Sequence, residues 1–392
     1  MQPQPNVQPA TAKAEIARLL VSFELSQSKW VLTIQSPHSA KPSHFNVRAR
    51  DTEHVLALLS SHRAQAERRS GGRVQVVSIY EAGLDGFWLH RWLLAQGVES
   101  HVVDPASILG PQRRRQAKTD RIDGAKLLHS LAAWLGGDRR MCSMVVVPST
   151  EQEDQRRLSR ERSELVAQRT QLTNRIGGLL ANQGIAGFMP LRRGAQEALE
   201  ALRTGDGRAL PGHLKASIGR MLSQLRLLTE QIKQVEAERD ALLRAVPAET
   251  AQETPCDPRI GLLLLQLRGI GPEFATVLVR ECLYRHFANR RQLAAYAGLA
   301  PSPWASGGVE HEQGISKAGN RRLRKTLVEL AWSWTLHQPG SALTQWFRGK
   351  VKGQGRRMRR IAIVALARKL LVALWRYTQD GVVPEGAVLK AA

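Results

Sequence analysis

Hydrophobic and polar positions in the first third of the chain predict short strands separated by helices. The run Val74-Gln-Val-Val-Ser-Ile-Tyr80 is rich in β-branched residues, which is typical of a buried strand. Residues 51–68 place valine and leucine on one helical face, behind a capping Asp51 or Thr52. The predicted strands are 19–25, 29–34, 44–49, 74–80 and 101–104, and the predicted helices are 51–68, 84–96 and 119–135.

This order of three strands, helix, strand, helix, strand and helix is that of a ribonuclease-H-like domain, which we place at residues 16–145. The preceding residues are rich in Pro and Gln and lack a charged segment followed by an apolar core. We therefore predict residues 1–15 to be a disordered leader rather than a signal peptide.

Residues 150–250 follow a different pattern, because leucines recur there every seven positions. The first stripe is Leu158, Leu165, Leu172 and Leu179, and a glycine-rich break follows at Gly177-Gly178 and 184–194. The second stripe is interrupted only by Arg239 and comprises Leu214, Ile218, Met221, Leu225, Leu228, Ile232, Val235 and Leu242. This spacing predicts a coiled coil. Pairing within one chain or between two chains stays open, and we favour some contribution to dimerisation.

Residues 258–392 form the third predicted domain, which is mainly α-helical and strongly basic. From Arg259 onward there are 22 Lys and Arg against 7 Asp and Glu, in a chain of net charge +23. Such an excess predicts a polyanionic partner, with a solvated basic surface as the alternative. The predicted phosphate contacts lie on two basic helices and are Lys317, Asn320, Arg321, Arg322, Arg324, Lys325, Arg356, Arg357, Arg359 and Arg360. Five tryptophans either stack on bases or belong to the helical core: Trp304, Trp332, Trp334, Trp346 and Trp375.

Two further segments of this domain carry candidate chemistry. Leu267-Arg-Gly-Ile-Gly-Pro, before an apolar helix at 274–282, resembles a helix-hairpin-helix in which Gly269 and Gly271 bring backbone N–H groups to a phosphate. A plain helix–turn–helix junction is an equally good interpretation. The predicted loop 300–308 contains Ser302 and Ser306, and a serine hydroxyl attacks a phosphodiester when it is activated. The residues alone do not rank these two serines against Ser316.

Four carboxylates suggest a metal site in the first domain. Glu24 interrupts the apolar run of the strand predicted at 19–25, and Glu81 directly follows the strand predicted at 74–80. Asp120 and Asp123 lie three residues apart on one helix face. If the four carboxylates converge, they can bind two Mg²⁺ ions. Taken one at a time, acids on a helix are more often solvated. The three cysteines form no CxxC motif, which fits a reducing cytoplasm without a zinc site. No apolar run has the length of a membrane span.

Two independent sets of motifs resemble a known family. The first set is similar to the DEDD domain of Piv-type DNA invertases and IS110 insertion-sequence transposases. It comprises the acid after the first strand, Tyr80-Glu-Ala-Gly, Val103-Asp-Pro and Lys118-Thr-Asp-Arg-Ile-Asp. The second set resembles the transposase domain of the same family in order and spacing, and comprises Leu267-Arg-Gly-Ile-Gly-Pro, Ala297-Gly-Leu-Ala-Pro, Ala305-Ser-Gly and Gly314-Ile-Ser-Lys-Ala-Gly-Asn-Arg-Arg-Leu-Arg.

The resemblance implies a DNA transposase or recombinase of a mobile insertion sequence. Glu24, Glu81, Asp120 and Asp123 would bind Mg²⁺ in a RuvC-like site, and Ser306 would attack DNA to form a covalent phosphoserine intermediate. The implied partners are donor DNA, target DNA and a structured guide RNA. The implied assemblies are dimers and tetramers. In them the RuvC-like domain of one protomer and the transposase domain of another together form an active site. The implied location is the bacterial cytoplasm, at the nucleoid.

One departure from the family pattern keeps alternatives open. The family usually has Asp-x-Ser-Lys after the first strand, whereas this chain has Glu24-Leu-Ser-Gln-Ser-Lys-Trp, with two extra residues before Lys29. The additional methylene moves the carboxylate outward by about 1.5 Å, and Mg²⁺ tolerates little distortion. The alternatives are a RuvC-like nuclease or junction resolvase that uses water, and a nucleic-acid-binding protein with a decayed acid site.

Overall fold

A computed structural model of the chain describes residues 17–83, 86–108, 120–245, 259–306 and 309–390. They form two compact units, which meet in sequence at Val147 and Pro148. The predicted leader, residues 1–15, and the predicted boundary between the second and third domains, residues 250–258, lie outside the described residues.

The first unit contains the strands and helices that the sequence predicts, in the predicted order. They are β1 (Arg18–Glu24), β2 (Lys29–Gln35), β3 (Ser43–Arg48), α1 (Thr52–Ser70), β4 (Gln75–Glu81), α2 (Trp88–Ala95), β5 (Glu99–Val103) and α3 (Asp120–Leu135). Asp51 caps α1 by accepting a hydrogen bond from the backbone N–H of His54, and Gly71 ends the helix in the left-handed conformation. The predicted cap at the start of this helix is therefore confirmed, and the helix ends two residues beyond the predicted position 68.

The five strands form one mixed sheet in the order β3-β2-β1-β4-β5. Strands β1, β2 and β3 pair antiparallel, whereas β4 pairs parallel with both β1 and β5. One face packs Phe23 and Tyr80 against side chains of α1 and α2, and the other packs Val77 and Ile79 against α3. Both faces are covered, which explains why the central strands are almost continuously hydrophobic.

Helix α3 lies unusually close to β1 and β2 at Gly124. The Ser22 hydroxyl donates a hydrogen bond of 2.9 Å to the Gly124 carbonyl oxygen. A Cβ at position 124 would collide with the Thr33 hydroxyl and lie 3.3 Å from the Ser22 hydroxyl. The glycine therefore allows the first turns of α3 to rest directly on the sheet.

We expect Gly124→Val to destabilise the first unit by about 1–3 kcal/mol, because the added carbons overpack a close contact. Urea unfolding followed by circular dichroism and tryptophan fluorescence measures the loss. Gly177→Val is the matched control, since Gly177 is also within a helix but a Cβ there has no neighbour within 4 Å. Equal losses in the two variants would attribute the effect to helix propensity rather than to the contact with the sheet.

The second unit is mainly helical. Its elements are α4 (Thr150–Asp154), α5 (Arg157–Ala181), α6 (Ala195–Ala201), α7 (Gly212–Arg244), α8 (Arg259–Leu265), α9 (Pro272–Leu278), α10 (Arg290–Tyr296), β6 (Pro301–Ser306), β7 (Val309–Ile315), α11 (Arg321–His337), α12 (Ala342–Val351) and α13 (Arg356–Asp380). A π-helical turn, Val279–Leu283, extends α9. Buried side chains from α8 through α13 form one continuous core.

Helices α5 and α7 pack antiparallel within the chain. Arg162 near the start of α5 pairs with Glu236 near the end of α7 at 2.6 Å, while Ile176 near the end of α5 packs with Ile218 near the start of α7. The coiled-coil geometry and its role in dimerisation stay predictions.

The structure corrects two details of the predicted stripes. Helix α5 continues through Gly177 and Gly178, where the sequence predicted a break. In α7, Leu242 is 44% exposed whereas Arg239, the expected interruption, is only 5% exposed. Ion pairs of Arg239 with Asp240 and Glu273, at 2.6 and 2.7 Å, compensate the burial of its charge.

Two other predictions for the last third were wrong. Residues 300–308 were predicted as a loop, but 301–306 form β6, which pairs antiparallel with β7. A basic helix was predicted to begin near Ser316, but α11 begins at Arg321 behind an Asn320 cap. Among the helices that the structure describes, none combines the length and hydropathy of a membrane span.

Candidate active site and nucleic-acid interface

Glu24 and Glu81 lie at the same edge of the sheet. Each is the last residue of its strand, and these strands, β1 and β4, are parallel neighbours paired up to Phe23 and Tyr80. Adjacent strands of a sheet are about 4.8 Å apart, and the two glutamates end neighbouring strands at this spacing. The Glu24 Oε1 atom is buried, whereas the Glu81 side chain is exposed.

The alternation of side chains places both glutamates on the face covered by α3. Phe23 and Tyr80 point to the opposite face, and Ile79, two residues before Glu81, packs against α3. Ser22, two residues before Glu24, bonds Gly124 of α3. The helix that begins with Asp120 and contains Asp123 therefore starts over the strands that end in Glu24 and Glu81.

The structure describes only part of the four-acid set. The Asp123 side chain is partly buried, at 22% exposed, and accepts a hydrogen bond of 3.3 Å from Lys126. The side chain of Asp120 lies outside the described residues. Within the described part of the chain, no group of three or more His, Cys, Asp or Glu is arranged to hold a metal ion. Carboxylate oxygens are the ligands that Mg²⁺ prefers, so the donor chemistry fits that ion.

Asp104 is a further acid at this edge that we did not include in the predicted metal set. It directly follows β5, whose last residue, Val103, pairs with Glu81. The signal in the sequence was its position between a short strand and Pro105, which marks a strand end.

Ser306 lies at the end of the β6–β7 hairpin, where it pairs with Val309. Its side chain, and residues 307–308, lie outside the described residues. Ser302 and Ser316 flank it, at the start of β6 and just after β7. The structure thus places the candidate nucleophile on a two-stranded ribbon.

The hairpin is followed by a tightly fixed turn. Lys317 has a left-handed backbone, with φ of 56°, and its N–H donates to the Gly298 carbonyl oxygen at 3.2 Å. Gly319 has φ of 84°, and a Cβ there would collide with the Tyr296 carbonyl oxygen. Left-handed backbone in a lysine costs free energy, so the packing of this turn on residues 296–298 determines its conformation.

The predicted phosphate-binding residues between 317 and 325 divide into two groups. Lys317, Arg321 and Lys325 are exposed. The other three bond within the protein: Asn320 donates to Glu281 at 3.1 Å, Arg322 donates to the Ser159 carbonyl oxygen at 2.5 Å, and Arg324 donates to two backbone oxygens at 3.4 Å. These three positions have structural partners, and phosphate binding by any of the six stays a prediction.

Gly269 occupies the turn between α8 and α9. Its φ is 84°, a Cβ there would lie 2.9 Å from the His337 Cβ, and Ser333 donates to its carbonyl oxygen at 2.9 Å. Gly271 is the N-cap of α9. The turn therefore needs Gly269 for its approach to α11, and a contact of either glycine with phosphate stays a prediction.

The four predicted arginines of the last helix, at 356, 357, 359 and 360, are all exposed in the first turns of α13. Cationic side chains at a helix N-terminus oppose the helix dipole. This unfavourable arrangement is relieved when an anion binds there.

Comparisons with known proteins match both units. Residues 25–183 match the DEDD domain of IS110 transposases, and residues 262–346 match the domain described as transposase IS116/IS110/IS902 family. The first match begins one residue after Glu24.

Curated relatives match over longer stretches. "Putative transposase y4rJ" of Sinorhizobium fredii is 53% identical over 97% of both chains. The transposase for insertion sequence element IS1111A of Coxiella burnetii is 27% identical over 77% of each chain. The transposase for IS1328 of Yersinia enterocolitica is 30% identical over 61% of this chain and 67% of its own.

Proposed function

Since the chain belongs to the IS116/IS110/IS902 family of transposases, we propose that it cuts and rejoins DNA with magnesium-binding acids and a serine nucleophile. The observation that carries this proposal is that Glu24 and Glu81 lie at the same edge of the sheet, on the face that α3 covers. Asp120 and Asp123 complete the proposed ligand set from the first turn of α3.

The proposal assigns metal binding to the first unit and the nucleophile, Ser306, to the second. Mg²⁺, when bound, would supply positive charge that polarises the scissile phosphate. Ser306 would then lose its hydroxyl proton as its oxygen bonds to phosphorus. The bond between phosphorus and the departing strand oxygen would break, and that oxygen would take up a proton to become a free hydroxyl.

We further propose that a structured non-coding RNA guides the reaction. The family resemblance supports this step, as does the net charge of +23, which suits RNA as well as DNA. Expression with the flanking DNA of the gene is expected to yield a specific copurified transcript. Recovery of only bulk cellular RNA would contradict guidance, without bearing on DNA cleavage.

The metal assignment is tested with Glu81→Gln, which keeps the side-chain volume and removes the charge. We expect it to weaken Mg²⁺ binding in titration calorimetry by about tenfold or more and to stop strand exchange. Glu53→Gln, which removes an exposed acid from the first turn of α1, is the control. Unchanged Mg²⁺ affinity in Glu81→Gln would refute its role as a ligand, and strand exchange without divalent metal would refute the proposed chemistry.

A further inference from the structure

Trp332 forms an accessible ring on the surface of the second unit. It is 38% exposed, whereas Trp334 is fully buried and Trp346 and Trp375 pack against the core. Its ring meets the buried Phe347 edge to face, with centroids 5.9 Å apart. Phe347 therefore fixes the indole, while part of it stays open to solvent.

The guanidinium of Arg359 lies over this ring, with its Cζ 5.3 Å from the centroid. Cation–π attraction orients the planar guanidinium and lowers the entropy cost of a further contact. Arg359 thus differs from Arg357, which has no aromatic contact among the described residues.

Exposed apolar side chains also occur on both helices, within four residues of Trp332 or Arg359 in sequence. Leu336, one turn beyond Trp332 on α11, is 73% exposed. Met358, one residue before Arg359 on α13, and Ile361, two residues after it, are 40% and 53% exposed. Contact with phosphates alone gives no reason for apolar groups here, because phosphates are bound by charge and hydrogen bonds.

The charge around the pair identifies the kind of partner. Residues 348–361 contain seven Lys and Arg and no Asp or Glu. None of the seven makes an ion pair with a residue that the structure describes. Gly355 caps α13 without a side-chain hydrogen bond, so the positive end of the helix dipole adds to this field. A polyanion complements such a surface better than another protein chain does.

We propose that Trp332 and Arg359 form a stacking platform for an unpaired base of a nucleic-acid strand. The base would lie against the exposed indole and guanidinium, while neighbouring arginines hold the flanking phosphates. A duplex hides its base faces and offers mainly phosphates, so this surface fits a single strand, of DNA or RNA. The inference rests on the proposed function in that the second unit is taken to hold nucleic acid.

Fluorescence anisotropy of the full-length protein with labelled 20-nucleotide DNA, RNA and the matching duplex tests the platform. We expect Trp332→Ala to weaken single-strand binding about 5- to 150-fold and duplex binding less than about twofold. Trp332→Phe should restore most of the single-strand affinity. Arg359→Lys, which keeps the charge, should weaken single-strand binding several-fold. Arg376→Lys, the same change at an exposed arginine of α13 outside the predicted phosphate contacts, should leave it unchanged.

A 2-aminopurine placed at successive positions of the strand provides a second measurement. Quenching at one position with wild type and Trp332→Phe, but not with Trp332→Ala, is expected if a base stacks there. The DNA and RNA arms show which strand the platform prefers. Equal loss of duplex and single-strand binding, or unchanged single-strand binding by Trp332→Ala, would overturn the platform.

The platform and the proposed function fail in different ways. Wild-type strand exchange together with a neutral Trp332→Ala refutes only the platform. Absence of wild-type strand exchange, with single-strand binding still sensitive to Trp332, refutes only the recombinase chemistry. A wild-type protein that binds neither strand nor duplex would refute both.

Discussion

Replacing Ser306 with alanine is expected to abolish strand exchange and the covalent protein–DNA adduct while DNA binding persists. Removal of the nucleophile from a serine hydrolase costs on the order of 10⁶-fold in rate, so a loss of at least about 10³-fold is expected here. Without the hydroxyl no phosphoserine bond forms, although every residue predicted to bind phosphate remains. The measurement is a denaturing gel of end-labelled donor DNA incubated with protein and Mg²⁺.

The neighbouring serines supply matched controls. Ser302 lies in β6 and Ser316 just after β7, so Ser302→Ala and Ser316→Ala change the same ribbon without touching the proposed nucleophile. Both should form the adduct at the wild-type level. Free cleaved ends with no protein-linked band would instead indicate attack by water, as in a RuvC-like nuclease.

The elements of the first unit were predictable because their signals are local. Alternating and continuous apolar runs define β1 and β4. The run of β4 stops before Glu81, whereas the run of β1 was predicted to continue to Leu25, one residue past the end of the strand at Glu24. The element order then implies that these two ends meet at one edge. The close packing of α3 on the sheet was not predictable, because it depends on the hydrogen bond between Gly124 and Ser22, which are 102 residues apart in sequence.

The ribbon that carries Ser306 was missed because its residues are weak strand formers. Pro301 and Pro303 favour a loop in any local analysis. A two-stranded ribbon tolerates them, because each strand has one unpaired edge, and the pairing shifts register between these two prolines. The true start of α11 did have a signal, since Asn320 is a strong N-cap immediately before Arg321.

Ion pairs and hydrogen bonds between distant residues of the second unit were also outside the reach of local patterns. Arg160 donates to Glu281 at 3.0 Å across 121 positions, and Ser159 donates to Glu273 at 3.0 Å across 114. Sequence alone therefore assigned Arg322 to phosphate, although its neighbours include Glu273 at 3.3 Å. Burial lowers the pKa of Arg322, and Glu273 opposes this shift by stabilising the charged form.

Glu273→Ala is expected to destabilise the second unit by about 3–5 kcal/mol, because it removes the shared partner of the buried Arg239 and the half-buried Arg322. Glu273 accepts from Arg239 at 2.7 Å and from Arg322 at 3.3 Å, and their side chains are only 6% and 23% exposed. Arg239 keeps its pair with Asp240 at 2.6 Å, so we expect a loss near the lower limit. Urea unfolding of the full-length protein measures it.

Two companion variants separate the causes of this loss. Glu273→Gln keeps the volume and removes the charge, so it should lose nearly as much as alanine if uncompensated arginine is the cause. Glu230→Ala removes an acid that pairs with Lys233 at 3.5 Å, with side chains 58% and 67% exposed, and should cost less than about 1 kcal/mol. If Glu273→Ala and Glu230→Ala lower the free energy of unfolding by similarly small amounts, Arg239 and Arg322 reach solvent by local rearrangement. The buried pairs would then contribute to the geometry of α7, α9 and α11 rather than to their stability.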